Sequence, residues 1–180
     1  MSLFLYEIVP ADAGRDGIEA LLREIGGAAS SAGGEVIESQ VTGSHDQVFV
    51  VVEAADAASL GTVLTAERLA GAAEVAGPDQ VRLIGAELAE IKAARPKAGY
   101  LVEWDFPADL DMDTYLSRKK ANAPKYAEVP EVSFLRTYVR EDMVKCLCLY
   151  DAPDEGIVRK AREVVNTPID RLHALERGER

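Results

Sequence analysis

Apolar and polar positions fall into two similar runs along the chain. Leu3 to Val9 (LFLYEIV) reads as a strand stopped by Pro10, and Tyr100 to Phe106 (YLVEWDF) reads as a strand stopped by Pro107. Each carries a glutamate near its centre, Glu7 in the first and Glu103 in the second. A helix is expected after each. Over Asp16 to Ala29, the residues Ile18, Leu21, Leu22 and Ile25 keep the i, i+3, i+4, i+7 spacing of one apolar face, and Gly26-Gly27 weakens the last turn. The second helix, Asp113 to Asn122, has Asp111 or Asp113 to cap its free N–H groups and stops before Pro124.

Hairpins follow both helices. Val36 to Val41 and Val48 to Glu53 flank the polar turn Gly43-Ser44-His45-Asp46, while Val132 to Val139 and Val144 to Tyr150 flank Arg140-Glu141-Asp142. Glu53-Ala54-Ala55-Asp56 and Asp151-Ala152-Pro153-Asp154 each open a further helical segment, and short apolar strands, Val81 to Ile84 and Arg171 to Leu175, close the two runs. Strand, helix, strand, strand, helix, strand, twice over, predicts an α+β chain of two tandem ferredoxin-like βαββαβ units. Their expected extents are residues 1–91 and 100–176, joined by the linker 92–99 (KAARPKAG). A four-stranded sheet with helices on one face leaves the other face to be covered. Packing the two open faces together would make an intramolecular pseudo-dimer with a cleft, so a monomer of that kind, or a homodimer of it, is expected.

Composition narrows the partners. The 180 residues hold 20 Lys and Arg against 31 Asp and Glu, a net charge of -11 that repels nucleic-acid phosphates and anionic lipid. No run approaches the roughly 18 apolar residues of a membrane helix, and Met1 to Pro10 lacks the basic region of a signal peptide. Neither nucleic acid nor membrane is therefore an expected partner. The two cysteines, Cys146 and Cys148, are too close in sequence for an unstrained disulfide, which points to the cytoplasm as the compartment. Charge and aromatics are unevenly shared. Residues 98–180 carry thirteen of the basic groups and eight of the eleven aromatics, including the single tryptophan, Trp104. Any chemistry is expected in the second half.

Tyr138-Val139-Arg140-Glu141-Asp142, then Lys145, then Cys148-Leu149-Tyr150-Asp151-Ala152-Pro153-Asp154-Glu155, continuing through Val158-Arg159 to Pro168, form one connected signature. With Leu101-Val102-Glu103 as its opening strand, the stretch 100–176 resembles a bacterial family catalogued as a domain of unknown function. That family includes a small nickel-binding protein of ferredoxin-like fold. The resemblance implies a binding module for nickel or another divalent metal, with Glu103 and Cys148 as matched positions of ligand chemistry. Family members often carry histidine where this chain has Arg136, and again within the segment Arg159 to Val165, which has none here. The family's first-strand arginine is replaced by Trp104.

Each candidate group has two readings. Cys146 and Cys148 share one strand face. Two thiolates there suit a soft metal or an electrophile, but with no second Cys or His pair at metal spacing they also read as small buried hydrophobes. Glu7 and Glu103, inside apolar strands, either have pKa values raised by burial and serve as general bases or simply face water. His173, between Leu172 and Ala174, is a metal-ligand or acid–base candidate or a structural histidine. Tyr100, Trp104, Phe106, Phe134, Tyr138 and Tyr150 line either a pocket or a core. Arg118-Lys119-Lys120 reads as a solvated helix face.

The expected function is a small binding module for a divalent metal or a small ligand. Glu103, Cys148 and His173 are the metal candidates, and Glu7, Glu103, Trp104, Tyr138 and Tyr150 the ligand-binding ones. One alternative is a cofactor-independent enzyme acting on an aromatic or polyketide-like substrate in the cleft, with Glu103 or Glu7 as base. The other is a structural or interaction protein.

Overall fold

The computed structural model describes residues 1–176. The chain divides into two compact units. One comprises Met1–Val81 and Glu87–Lys97, the other Arg82–Ala86 and the described residues from Ala98 onward.

The first unit is built from β1 (Ser2–Pro10), α1 (Arg15–Ser31), β2 (Glu35–Val41), β3 (Val48–Ala54), α2 (Ala57–Gly61), most of β4 (Ala72–Ile84) and α3 (Leu88–Ala94). Its strands run in the order β2-β3-β1-β4, and the β1–β3, β1–β4 and β2–β3 pairs are antiparallel, which is the ferredoxin-like order. Ile18, Leu21 and Ile25 of α1 pack on Tyr6, Ile8, Val50 and Val52. The helix continues past Gly26-Gly27 to Ser31 because Ala29, one turn beyond Ile25, is buried in the same cluster.

Two parts of this unit depart from the expected pattern. The helical segment after Asp56 is only one turn long, capped by the Asp56 carboxylate accepting from the Ser59 N–H at 2.8 Å. The closing strand starts much earlier than Val81. Gly77-Pro78 forms an irregularity inside β4, where the β1–β4 register shifts between Leu5 and Glu7. Gly77 has φ 125°, and a Cβ there would lie 2.6 Å from the Leu5 carbonyl oxygen, so only glycine fits. The stretch expected as a linker also holds the last turn of α3.

The second unit repeats the plan with β5 (Tyr100–Asp105), α4 (Met112–Asn122), a 3-10 turn (Ala123–Glu128), β6 (Ser133–Arg140), β7 (Lys145–Asp151), α5 (Glu155–Val164) and β8 (Arg171–Ala174). The strand order is β6-β7-β5-β8, with the end of β4 beside β6. Asp111 caps α4, its carboxylate accepting from the Thr114 N–H at 2.8 Å, and Asp154 caps α5 through the Ile157 N–H at 2.9 Å. Each such cap is worth about 1 kcal/mol. Register decides which side chains meet the helices. Val102 lies opposite Cys148 and Glu103 opposite Leu147. Val102, Val139, Cys146, Cys148 and Tyr150 join the core under the helices with Val158 and Ala161, so Glu103 and Leu147 belong to the other face.

No helix among the described residues is long and apolar enough to cross a membrane.

Candidate functional site

Helix α5 carries a charged residue on its apolar side. Val158 and Ala161 are buried, and Arg162, adjoining them on the helix surface, is only 3% exposed. Its guanidinium reaches the helix-facing side chains of β7. Nη1 donates to Cys148 Sγ at 3.4 Å and to the Tyr150 hydroxyl at 3.2 Å, and Nη2 donates to the Pro168 carbonyl at 2.5 Å. Nε is buried with no hydrogen-bond partner. Among the described residues no carboxylate pairs with this arginine. A buried cation without an anion is expensive, and the sulfur of Cys148 is the one group here able to supply the countercharge.

Cys148 is arranged for that role. Cys146 lies 3.8 Å away, sulfur to sulfur, and Thr137 Oγ1 donates to Cys148 at 3.3 Å. The hydrogen bond from Cys146, together with the charges of Arg162 and Lys119 and the Thr137 hydroxyl, outweighs burial and holds the Cys148 thiol well below its ordinary range. Burial pushes Cys146 the opposite way. The pair thus favours negative charge on the Cys148 sulfur, with Cys146 as its neutral neighbour.

The Tyr150 and Tyr126 hydroxyls are 2.7 Å apart. Tyr150 already accepts from Arg162 and is fully buried, so its hydrogen goes to Tyr126 and the Tyr126 hydrogen stays available. Burial pushes the Tyr126 hydroxyl up to about 12, so it stays a donor at neutral pH.

A cavity of about 320 Å³ opens above these groups, wholly within the second unit. Trp104, Tyr115, Tyr126 and Phe134 form its apolar walls, and Cys148 and Arg162 also line it. Tyr126 stacks on Phe134 at 5.6 Å between ring centroids, and Trp104 lies 6.0 Å from Tyr115. From α4 come Arg118 and Lys119, with the Lys119 ammonium 4.2 Å above the Phe134 ring. No Asp or Glu is among the lining residues, although the chain carries a net charge of -11. The Arg118-Lys119 run is therefore only partly a solvated face, a correction to its sequence reading.

Glu103 occupies the opposite face of the sheet, inside an ion-pair network. Its Oε1 accepts from Lys145 Nζ at 2.7 Å, and its Oε2 accepts from Arg171 Nε at 2.8 Å and from His173 Nε2 at 2.7 Å. Arg171 also grips Asp105 with both terminal nitrogens. Burial alone would raise the Glu103 carboxyl, but the hydrogen bonds from His173, Arg171 and Lys145 more than offset it and hold the group well below the carboxylate range. Glu103 is thus no raised-pKa base, which corrects that part of the sequence expectation.

The expected metal set is also divided. Glu103 and His173 come together, while Cys148 lies across the sheet from them because Val102, not Glu103, is its register partner. Among the described residues, no three His, Cys, Asp or Glu side chains gather as a metal centre. Of the expected ligand-binding residues, Trp104 lines the cavity and Tyr150 lies directly beneath it. Tyr138, opposite Leu147, is on the Glu103 face. Glu7 is half-buried in the first unit, pairing with Phe49 and Ala76, and is not part of this cavity.

Sequence reasoning missed Tyr115, Tyr126, Lys119 and above all Arg162. The signal for Arg162 was present, since Val158, Ala161, Arg162 and Val165 have i, i+3, i+4, i+7 spacing, which puts a guanidinium in an apolar stripe.

Residues 100–175 match the model of the family described as nickel responsive protein SCO4226-like. No curated protein sequence matches the chain. Among solved structures, SCO4226 from Streptomyces coelicolor A3(2) aligns at 15% identity and a TM-score of 0.39, over 46% of this chain and 100% of that one. A provisionally assigned chlorite dismutase, TA0507, aligns at 14% identity and a TM-score of 0.58 over 98% of this chain and 96% of that one. A provisionally assigned monooxygenase from Lactobacillus acidophilus NCFM does so at 9% identity and 0.52, over 98% and 94%. The second unit is thus similar to the nickel-responsive family, and at such identities the two full-length likenesses bear on the tandem fold alone.

Proposed function

We propose that the second unit is a binding module for a small organic anion with a flat, apolar body. The observation that carries this reading is Arg162, a buried cation lining an aromatic cavity with its Nε unpartnered. The cavity volume of about 320 Å³ lies at the lower end of small-molecule sites. Arg118 and Lys119 add positive charge, and the available Tyr126 hydrogen supplies a neutral donor. The anionic group would sit toward Arg162, with the flat body between the Trp104–Tyr115 and Tyr126–Phe134 walls.

Trp104 supplies the test, because a single tryptophan gives a single indole N–H signal in an NMR spectrum. Phenylacetate and 2-naphthoate are titrated against their neutral alcohols. Saturable shifts of the Trp104 signal, at least tenfold tighter for the acids, are expected. Equal affinity for acids and alcohols, or no shift with any of the four, would overturn the reading.

A divalent metal is the second reading, favoured by the nickel-responsive description of the family matched by residues 100–175. Glu103, Cys148 and His173 do not fit a nickel centre. Both Glu103 oxygens are engaged by cationic or N–H donors, and Cys148 lies across the sheet beside a guanidinium that would repel a divalent ion. Elemental analysis after dialysis against nickel decides it, with stoichiometric retention required for the metal reading to stand.

A further inference from the structure

We propose that Cys148 is a covalent-modification site, a nucleophilic thiolate that takes small carboxylic acids bearing an electrophilic carbon. The acid preference rests on the reading of the cavity as an anion receptor. The nucleophile rests on its own geometry.

A cysteine by itself would carry nothing. Cys148, however, lines a cavity together with a guanidinium whose Nε has no protein partner. Its sulfur accepts hydrogen bonds from Arg162 at 3.4 Å and Thr137 at 3.3 Å, and the Cys146 sulfur lies 3.8 Å away. These donors stabilise a negative sulfur and would be poorly used by a neutral thiol. The same Arg162 that holds the thiolate also lines the cavity, and Lys119 adds charge from α4. An acid docked on these cations would bring its neighbouring carbon close to the sulfur. Cys146 lacks this setting, since it is absent from the cavity lining and burial favours its neutral form.

The step balances without a cofactor. With an α-halo acid, a sulfur lone pair forms the S–C bond while the C–halogen bond breaks and halide leaves with its electrons. With an α,β-unsaturated acid, sulfur bonds to the β-carbon, the alkene pair shifts to the α-carbon, and that carbon takes a proton from water. Cys146 sits 3.8 Å away but two residues along the same strand, where a disulfide is badly strained. The thiolate is therefore kept for external electrophiles.

The test treats the whole folded chain with iodoacetate or its neutral twin iodoacetamide and maps the product by peptide mass spectrometry. One carboxymethyl group is expected, on Cys148, with an iodoacetate-to-iodoacetamide rate ratio at least tenfold above that of free cysteine. The rate should level off at a pH below the ordinary thiol value of about 8.5. Phenylacetate should protect the site, Cys146→Ser should keep the reaction and Cys148→Ser should abolish it. Modification that appears only in denaturant, or that strikes Cys146 equally, overturns the proposal. Phenylacetate binding without any alkylation overturns the nucleophile and leaves the anion receptor standing. Alkylation of Cys148 at the free-cysteine ratio, unprotected by phenylacetate, overturns the acid preference together with the receptor.

Discussion

Arg162 Nη1 lies 3.4 Å from the sulfur of Cys148 and 3.2 Å from the hydroxyl of Tyr150, tying α5 to β7 through one guanidinium. The contact is both structural and electrostatic, and replacement by an apolar side chain of similar length separates the two. Arg162→Met is expected to cost about 1–3 kcal/mol in chemical denaturation, because the Tyr150 oxygen and the Pro168 carbonyl lose their donor. Ultraviolet thiolate absorbance followed against pH should show the Cys148 titration moving upward in the same variant. A Cys148 titration that stays in place would show that Cys146, Thr137 and Lys119 hold the thiolate without Arg162.

The Glu103 network predicts an acid-sensitive component of stability. Its folded carboxyl is held below the unfolded value of about 4.3. The contribution is therefore fully present above that pH and is lost progressively as pH falls toward the folded value. Glu103→Gln removes the charge that compensates buried Lys145, for which a cost of about 3 kcal/mol is expected, at the low end for a broken buried pair. The low end applies because Arg171 is 43% exposed and keeps Asp105 as partner. Denaturation curves at neutral pH and below about pH 4 should show the gap between wild type and variant closing in acid. A gap that stays constant would mean that the carboxylate charge is not what the network uses.

The tandem fold was legible in the sequence because strand alternation, helix spacing and Pro or Gly stops recur in the same order in both units. What was not legible was register. Alternation places Cys146 and Cys148 on one face and Glu103 and Trp104 on opposite faces, but only the pairing of Val102 with Cys148 decides that the cysteines share the side of Trp104. A one-residue slip would have put Glu103 beside Cys148 and assembled the expected metal set. The early start of β4 was hidden for a related reason, since Gly77-Pro78, residues that more often mark a turn, form an irregularity within the strand. Lys119 and Arg162 were hidden by their charge, because a long cationic side chain on a helix reads as solvated even when it covers an aromatic ring or enters a core.

The hydroxyl pair beneath the cavity should behave as a coupled unit. Tyr126→Phe removes the acceptor of the Tyr150 hydrogen, and Tyr150→Phe removes the acceptor of an Arg162 N–H. The second loss falls on a buried charged donor and is expected to cost more, about 1–3 kcal/mol. With the partner hydroxyl already gone, the second deletion should be cheaper. A double-mutant cycle should therefore give a coupling energy of at least about 0.5 kcal/mol. Additive single and double variants would contradict the shared hydrogen bond.

Arg118 and Lys119 yield the last prediction, which concerns attraction rather than fit. Arg118 is exposed and Lys119 half-buried, so their charges act on an incoming anion partly through water. Such interactions weaken as the Debye length falls from about 10 Å at 0.1 M salt to about 3 Å at 1 M. Arg162 is buried, and its attraction is screened much less. Arg118→Gln with Lys119→Gln should therefore lower phenylacetate affinity severalfold at low salt and have little effect at high salt. The Trp104 indole signal reports both titrations. Lys119 also stands over the Phe134 ring, so Lys119→Arg, which keeps the charge and a cation over the ring, serves as the control and should keep the salt-dependent part of the affinity. A loss that persists unchanged at high salt would assign the two residues to packing of the wall instead of to recognition of charge.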